Sequence, residues 1–197
     1  MDELRAINTE QSFFDEQRQL LVKYLRQNQN IKDEAVLTAL NKVPRHQFLN
    51  ISLREVAYLN SPLDIGYGQT ISQPYIVAYM TEAASIFPDD KVLEIGTGCG
   101  YQTAILAELA QWVYSVEIRP QLTQKARQTL SRLEYTNINL KTGDGYQGWP
   151  EAAFFDAILV TAAPPRIPVR LVNQLAAEIY FYCYFPFVFW IIVVVLL

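Results

Sequence analysis

A chain of 197 residues with 51% hydrophobic and 18% charged side chains can bury one sizeable core and is too short for two comfortable domains. A net charge of -4 and a pI near 5.1 exclude a broad nucleic-acid-binding face, which needs clustered Lys and Arg, and favour small or peptide ligands. The two cysteines, Cys99 and Cys183, make no zinc-like spacing, and MDELRAINTE lacks the basic-then-apolar pattern of a secretion signal, so a cytoplasmic home is expected.

In chain order, residues 9–28 set Phe13, Leu20, Leu21, Tyr24 and Leu25 near helical spacing among charged and amide side chains, which predicts an amphipathic helix. A second helix is expected over 33–43, where Val36, Leu37, Leu40 and Val43 make the apolar stripe and Pro44 ends the ladder. Pro62, Gly66 and Gly68 mark a loop leading into a helix from about Ser72 to Phe87, with Ser72 as its N-cap and Pro74 tolerated in the first turn. The lone His46, before Gln and Phe, reads as a structural or solvated residue.

After Pro88 strands alternate with helices. KVLEIGT, a helix at 101–110, WVYSVEI, a helix at 120–133, INLKTGD, FDAILVTA and a short helix at 168–175 predict an α/β fold with a doubly wound, mostly parallel sheet. Ligands of such sheets bind beyond the carboxyl ends of the strands, at the switch point.

The glycines of VLEIGTGCGYQTAI fall at that place. Gly96, Gly98 and Gly100, with Glu94 ahead of them, can turn tightly and bring a ligand to backbone N–H groups at a helix start. The dinucleotide fingerprint needs glycine where this chain has Tyr101, and no P-loop Lys-Ser/Thr follows. Glu117, 21 residues after Gly96, can accept hydrogen bonds from two ribose hydroxyls, as an NAD or an adenosine ligand would require. Asp144 in GDG can accept from an adenine amino group or cap its own turn, and Gly143 and Gly145 read alone as turn residues. Together the three strand ends describe an adenosine-shaped site.

E-x-G-x-G-x-G followed by VEI and GDG at these intervals resembles the class I S-adenosylmethionine methyltransferases, which have a Rossmann-like fold. RHQF, GQTISQPYIVAYM, VLEIGTGCGYQTAILA, GDGYQGWPE and FDAILVTAAPP together resemble the protein-L-isoaspartate O-methyltransferase family over about residues 10–175. The resemblance implies a repair enzyme that methylates the α-carboxylate of isoaspartyl residues in damaged proteins and peptides, with S-adenosyl-L-methionine as cofactor and no metal. It also implies one methyltransferase domain over 1–175, in which 1–88 supply N-terminal helices and the substrate loop and 89–175 the cofactor-binding core. By the same resemblance Gly96, Gly98 and Gly100 seat the methionine part of the cofactor, Glu117 the ribose and Asp144 the adenine side, with Glu94 and Gly145 also among the cofactor-binding residues. Ser72 matches the active-site serine, Thr70 and Ile71 line the substrate cleft, and Ala162 and Ala163 match a strand-end segment facing substrate. Ala163 before Pro164, where amine-methylating enzymes usually carry Asp or Asn, favours an oxygen acceptor. A monomer with neither nucleic-acid nor membrane partner is expected.

Beyond LVNQLA the family would continue with a glycine turn and the strands that close the sheet; here 176–197 form an aberrant hydrophobic tail. Ile179–Leu197 holds no charge over 19 residues, enough for a bilayer-crossing helix, but its aromatic and β-branched content, Pro186 and the lack of a basic flank speak against one. EIYFYCYF could fill the fifth-strand slot, with the closing antiparallel strands missing or replaced. A shifted reading frame near Ala177 is the expected origin, a divergent terminus or an oligomer contact the alternatives. Two other functions stay open: transfer to another small acceptor, and a truncated non-catalytic cofactor-binding or membrane-tethered chain.

Overall fold

The structure, a computed structural model, describes residues 2–161, 168–176, 179–184 and 191–196. Helices α1 (Asp2–Asn28) and α2 (Glu34–Lys42) form where the apolar stripes predict them, and the Asp33 side chain caps α2 by accepting from the N–H groups of Ala35 and Val36. Short 3-10 turns at Arg45–Phe48 and Ile51–Val56 then lead into a small antiparallel hairpin, β1 (Leu63–Gly66) and β2 (Gln69–Ile71), which replaces the expected plain loop.

The next helix is shorter than its pattern suggests. α3 spans Pro74–Ala83 with Gln73, not Ser72, at the N-cap. The Asn60 side chain reaches across fifteen residues to accept from the Tyr75 N–H at 2.9 Å, so the cap comes from the preceding loop. Ser72 is left between β2 and α3 with its hydroxyl uncommitted to any described residue.

The remaining elements are β3 (Lys91–Ile95), α4 (Tyr101–Ala107), β4 (Trp112–Glu117), α5 (Pro120–Arg132), β5 (Ile138–Thr142), β6 (Ala157–Val160), α6 (Val169–Val172), β7 (Ile179–Tyr184) and β8 (Ile191–Leu196). They build a six-stranded sheet of order β5-β4-β3-β6-β8-β7. β5, β4, β3 and β6 run parallel, and β8 and β7 close the far side antiparallel. The sheet is thus the expected α/β type, and two antiparallel strands stand where the closing strands were expected to be missing. Ile191–Leu196, rather than Ile179–Tyr184, lies beside β6; the earlier segment takes the outer edge. β-branched and aromatic residues suit a pleated strand better than a helix, and among the described residues no helix is long and apolar enough to cross a membrane.

Alternation along the parallel strands divides the core. Val92, Ala157 and Leu159 pack with Met80 of α3, Ala84 at its C-cap and Leu106 of α4, whereas Leu93, Ile95, Ile158 and Val160 pack with Phe155, Leu171 and Leu175. The N-terminal helices join the sheet layer through buried polar contacts. His46 stacks on Phe14 with ring centroids 4.0 Å apart and its Nδ1 meets the Tyr58 hydroxyl at 2.8 Å, so it is structural. Arg45, fully buried, donates from Nε to the Ala57 carbonyl and lays its guanidinium 4.9 Å from the ring centroid of Tyr101, the first residue of α4. The start of α4 is therefore held from behind by the helical extension.

Candidate active site

In the sheet order, strands after β3 go first to one side, through β4 and β5, and then to the other, at β6. The switch point lies at the carboxyl ends of β3 and β6, and a cavity of about 300 Å³ opens there. Each of the parallel strand ends contributes. The glycine loop after β3 supplies Gly96, Thr97 and Gly98; the end of β4 supplies Glu117 and the following residue Ile118; the turn after β5 supplies Asp144, Gly145 and Tyr146; and Thr161 follows the end of β6. The hairpin and the residue after it add Gln69, Thr70, Ile71 and Ser72.

Glu117 binds the loop together. Its Oε2 accepts from the Gly98 N–H at 2.9 Å and its Oε1 from the Arg119 N–H at 2.9 Å, while the residue stays 6% exposed. A carboxylate has about four lone-pair sites, so two remain for donors in the cavity. Gly98, at φ 56°, takes the left-handed turn that aims its N–H at Glu117. Asp144 caps its own turn, accepting from the Tyr146 N–H at 3.0 Å and from Gln147 Nε2 at 3.3 Å. Gly145 must lack a side chain, because a Cβ there would stand 2.4 Å from Cγ2 of Ile95.

Two residues grouped with the cofactor site sit elsewhere. Glu94 does not line the cavity; it is fully buried beneath the loop, where its Oε2 accepts from Thr103 Oγ1 at 2.5 Å and Ser115 Oγ at 2.6 Å. Burial pushes its carboxyl up to about 7, against the opposing pull of those two hydroxyls. Strand alternation puts it on the α4 side of the sheet, where it ties β3, β4 and α4 into one unit. Gly100 is likewise outside the cavity lining: a Cβ there would press on Ala126 and Leu130 of α5 at 3.2 Å, so this glycine serves the close packing of two helices. Ala162 and Ala163 lie outside the described residues.

Other lining residues have no role that sequence alone assigns. Thr161 donates its hydroxyl to the carbonyls of Ile95 and Gly96, 2.9 Å each, and so joins β6 to the glycine loop. Its place at a strand end is the available signal. Gln102, in the first turn of α4, donates from Nε2 to Thr81 Oγ1 at 2.9 Å, which leaves its buried Oε1 without a partner among the described residues. Ile118 and Tyr146 line the cavity with 68% and 47% of their surface exposed; Ile118 directly follows Glu117, and Tyr146 gives its N–H to Asp144. Cys99 lines it too, but burial holds its thiol at about 11, so it stays protonated and unreactive at neutral pH.

The family model described as protein-L-isoaspartate(D-aspartate) O-methyltransferase (PCMT) matches residues 16–178. A protein-L-isoaspartate O-methyltransferase from a Picosynechococcus species is 61% identical over 159 residues, which cover 81% of this chain and 72% of the relative. One from a Synechococcus species is 58% identical over 163 residues, 83% of this chain and 67% of the relative. A solved protein-L-isoaspartate O-methyltransferase, 29% identical, superposes with a TM-score of 0.72 on 80% of this chain, which spans about half, 52%, of that longer chain. A beta-aspartate methyltransferase (PCMT) structure from Plasmodium falciparum in complex with S-adenosyl-L-homocysteine shares the fold, with a TM-score of 0.75 over 89% of this chain and 87% of that one at 22% identity. By the extent of the family match and the identity of these relatives, the chain belongs to the protein-L-isoaspartate(D-aspartate) O-methyltransferase family.

Proposed function

We propose that this chain transfers a methyl group from S-adenosyl-L-methionine to the α-carboxylate of L-isoaspartyl residues in proteins and peptides. The observation that carries the reading is the joining, in one cavity, of the hairpin residues Thr70, Ile71 and Ser72 with the strand-end residues Gly96, Gly98, Glu117, Asp144 and Gly145. The residues present fit the cofactor. Glu117 keeps acceptor capacity for two hydroxyls, Ile118 offers an exposed apolar surface to a flat ring, and the partnerless Oε1 of Gln102 is a buried acceptor awaiting a donor. A cavity of about 300 Å³ is at the lower end of the range for small-molecule sites.

The cofactor, when bound, supplies a methyl group on a cationic sulfur. The rest falls to the protein, and little acid–base chemistry is needed. A carboxyl group that ordinarily titrates near pH ~4 is already ionised at neutral pH, so no general base has to prepare it. Positioning is what remains, and in well-oriented intramolecular reactions it is worth up to roughly 7–11 kcal/mol. Ser72 suits that role, because it lines the cavity and Asn60 has taken over the cap of α3. A single O–H can donate to one carboxylate oxygen and fix its direction. The neighbouring Thr70 and Ile71 present hairpin surface to the rest of the peptide.

Incubating the purified chain with labelled S-adenosylmethionine and a matched pair of isoaspartyl and aspartyl peptides tests the proposal. Base-labile label is expected on the isoaspartyl peptide alone. No label on either, in folded protein that binds the cofactor, overturns the reading, and label only on an unrelated small acceptor replaces it. Ser72→Ala is expected to lower turnover about 10-fold, the value of one hydrogen bond to a charged group at the lower end of its range, with cofactor affinity unchanged. Unchanged turnover in that variant removes Ser72 from the mechanism.

A further inference from the structure

The β1–β2 hairpin borders two spaces. It lines the main cavity through Ile65, Gln69, Thr70 and Ile71. A second crevice, of about 140 Å³, lies between residues 47–50 and α5, and Ile65 and Cys99 border both spaces. Ile65 and Ile71 anchor the hairpin strands in the core, with Leu63 packed against it, so any opening falls to the turn and to the exposed residues beside it, Gln69 and Thr70. The hairpin touches the glycine loop through Ile65, whose Cδ1 lies 3.3 Å from where a Gly98 Cβ would stand.

The tip stands clear of that core. Gly66, Tyr67 and Gly68 all take the left-handed conformation, with φ of 88°, 57° and 68°, and a Cβ on either glycine would meet no atom within 4 Å. Tyr67, with a full side chain, is a costly occupant of such a backbone, and strain of this kind gathers at ligand clamps and switches. What its ring gains is a contact: Lys125 of α5 sets its Nζ 5.2 Å from the ring centroid. α5 begins just after Glu117 and Ile118, so the contact joins the hairpin tip to the segment that carries the opposite side of the cavity lining.

We propose that Tyr67 and Lys125 form a latch that holds the β1–β2 hairpin closed along the cavity, and that the latch sets how fast a bound nucleoside ligand leaves. Both are positioning residues: neither lines the cavity, and each acts through the hairpin that presents Thr70, Ile71 and Ser72. The inference rests on the reading that the cavity holds S-adenosylmethionine and its demethylated product.

The test compares the intact chain with Tyr67→Asn, Lys125→Met, their combination, and the conservative Tyr67→Phe. Asn tolerates the left-handed backbone, so Tyr67→Asn removes the ring without adding strain. Dissociation of S-adenosylhomocysteine, followed by displacement in stopped flow, is expected to quicken about two- to fivefold in each single variant. The double variant is expected to be no faster than either single one, and Tyr67→Phe to keep the original rate. In ligand-free protein, the amides of Gln69, Thr70 and Ile71 are expected to exchange hydrogen faster in the two disrupting variants, with the unfolding temperature unchanged. Unaltered dissociation and exchange in both single variants overturns the latch. Failure of the intact chain to bind S-adenosylhomocysteine, alongside altered exchange in the variants, instead overturns the cofactor reading and leaves the latch standing.

Discussion

Glu117→Ala is expected to weaken binding of S-adenosylhomocysteine by about two to three orders of magnitude, the largest effect of any single substitution at the cavity. Two losses combine. The carboxylate holds the Gly98 and Arg119 N–H groups at 2.9 Å each, so its removal frees the glycine loop from the strand that fixes it. It also removes the acceptors proposed for the ribose hydroxyls, and hydrogen bonds to a charged group are each worth roughly 1.5–3 kcal/mol. Water entering the vacated space recovers part of this, leaving roughly 3–4 kcal/mol, or about 10²–10³ in affinity. Glu117→Gln keeps one carbonyl oxygen and should fall between the two. Calorimetric titration measures both; an Ala variant within threefold of the intact protein would show that Glu117 serves the loop and not the ligand. Parallel thermal unfolding separates a lost ligand contact from a lost fold.

The strand ends are the most legible part of this site because they follow from local pattern. Apolar runs ending in Glu94-x-Gly96, Glu117 and Asp144 announce parallel strands, and parallel strands deliver their ends to one edge. What cannot be read depends on partners remote in the chain. Ser72 has the residue type and spacing of an N-cap, yet Asn60 holds that position from fifteen residues away. Gly100 looks like part of a ligand cradle, but Ala126 and Leu130 make it a helix-packing glycine. Glu94 heads the glycine motif and faces away from the cavity, because a strand turns alternate residues to opposite faces. The tail misleads for a different reason. Its composition suits strands, but a length of uncharged chain does not disclose that it folds back on itself, with β8 and not β7 against β6.

Glu94 provides the clearest pH signature in the fold. Its carboxyl is pushed up to about 7 chiefly by complete burial, with the neighbouring Glu117 adding to the rise, whereas an unfolded chain releases that proton near 4.5. Between those values the folded state holds a proton the unfolded state has lost. Stability from this group is therefore fully present below about pH 4.5 and is lost as pH rises through about 7, by roughly 3 kcal/mol. His46 works in the opposite sense. Burial first, then the charges of Arg54 and Arg18, lower its pKa from 6.5 to about 4, so folding excludes a proton and stability is lost as pH falls through that window. The two windows overlap, and the pH–stability curve of the intact protein should be flatter than either group alone would make it. Glu94→Gln separates them. The amide oxygen can face Thr103 and Ser115 in place of Oε2, while its NH₂ takes the position where Oε1 has no partner among the described residues, a cost that does not change with pH. Urea unfolding of both proteins from about pH 4.5 to about pH 8 is expected to give a stability difference that moves in favour of Glu94→Gln by roughly 3 kcal/mol across the range. A difference that stays constant with pH would mean that Glu94 is ionised in the folded protein throughout, and that the buried tie between β3, β4 and α4 is made by a carboxylate and two hydroxyls.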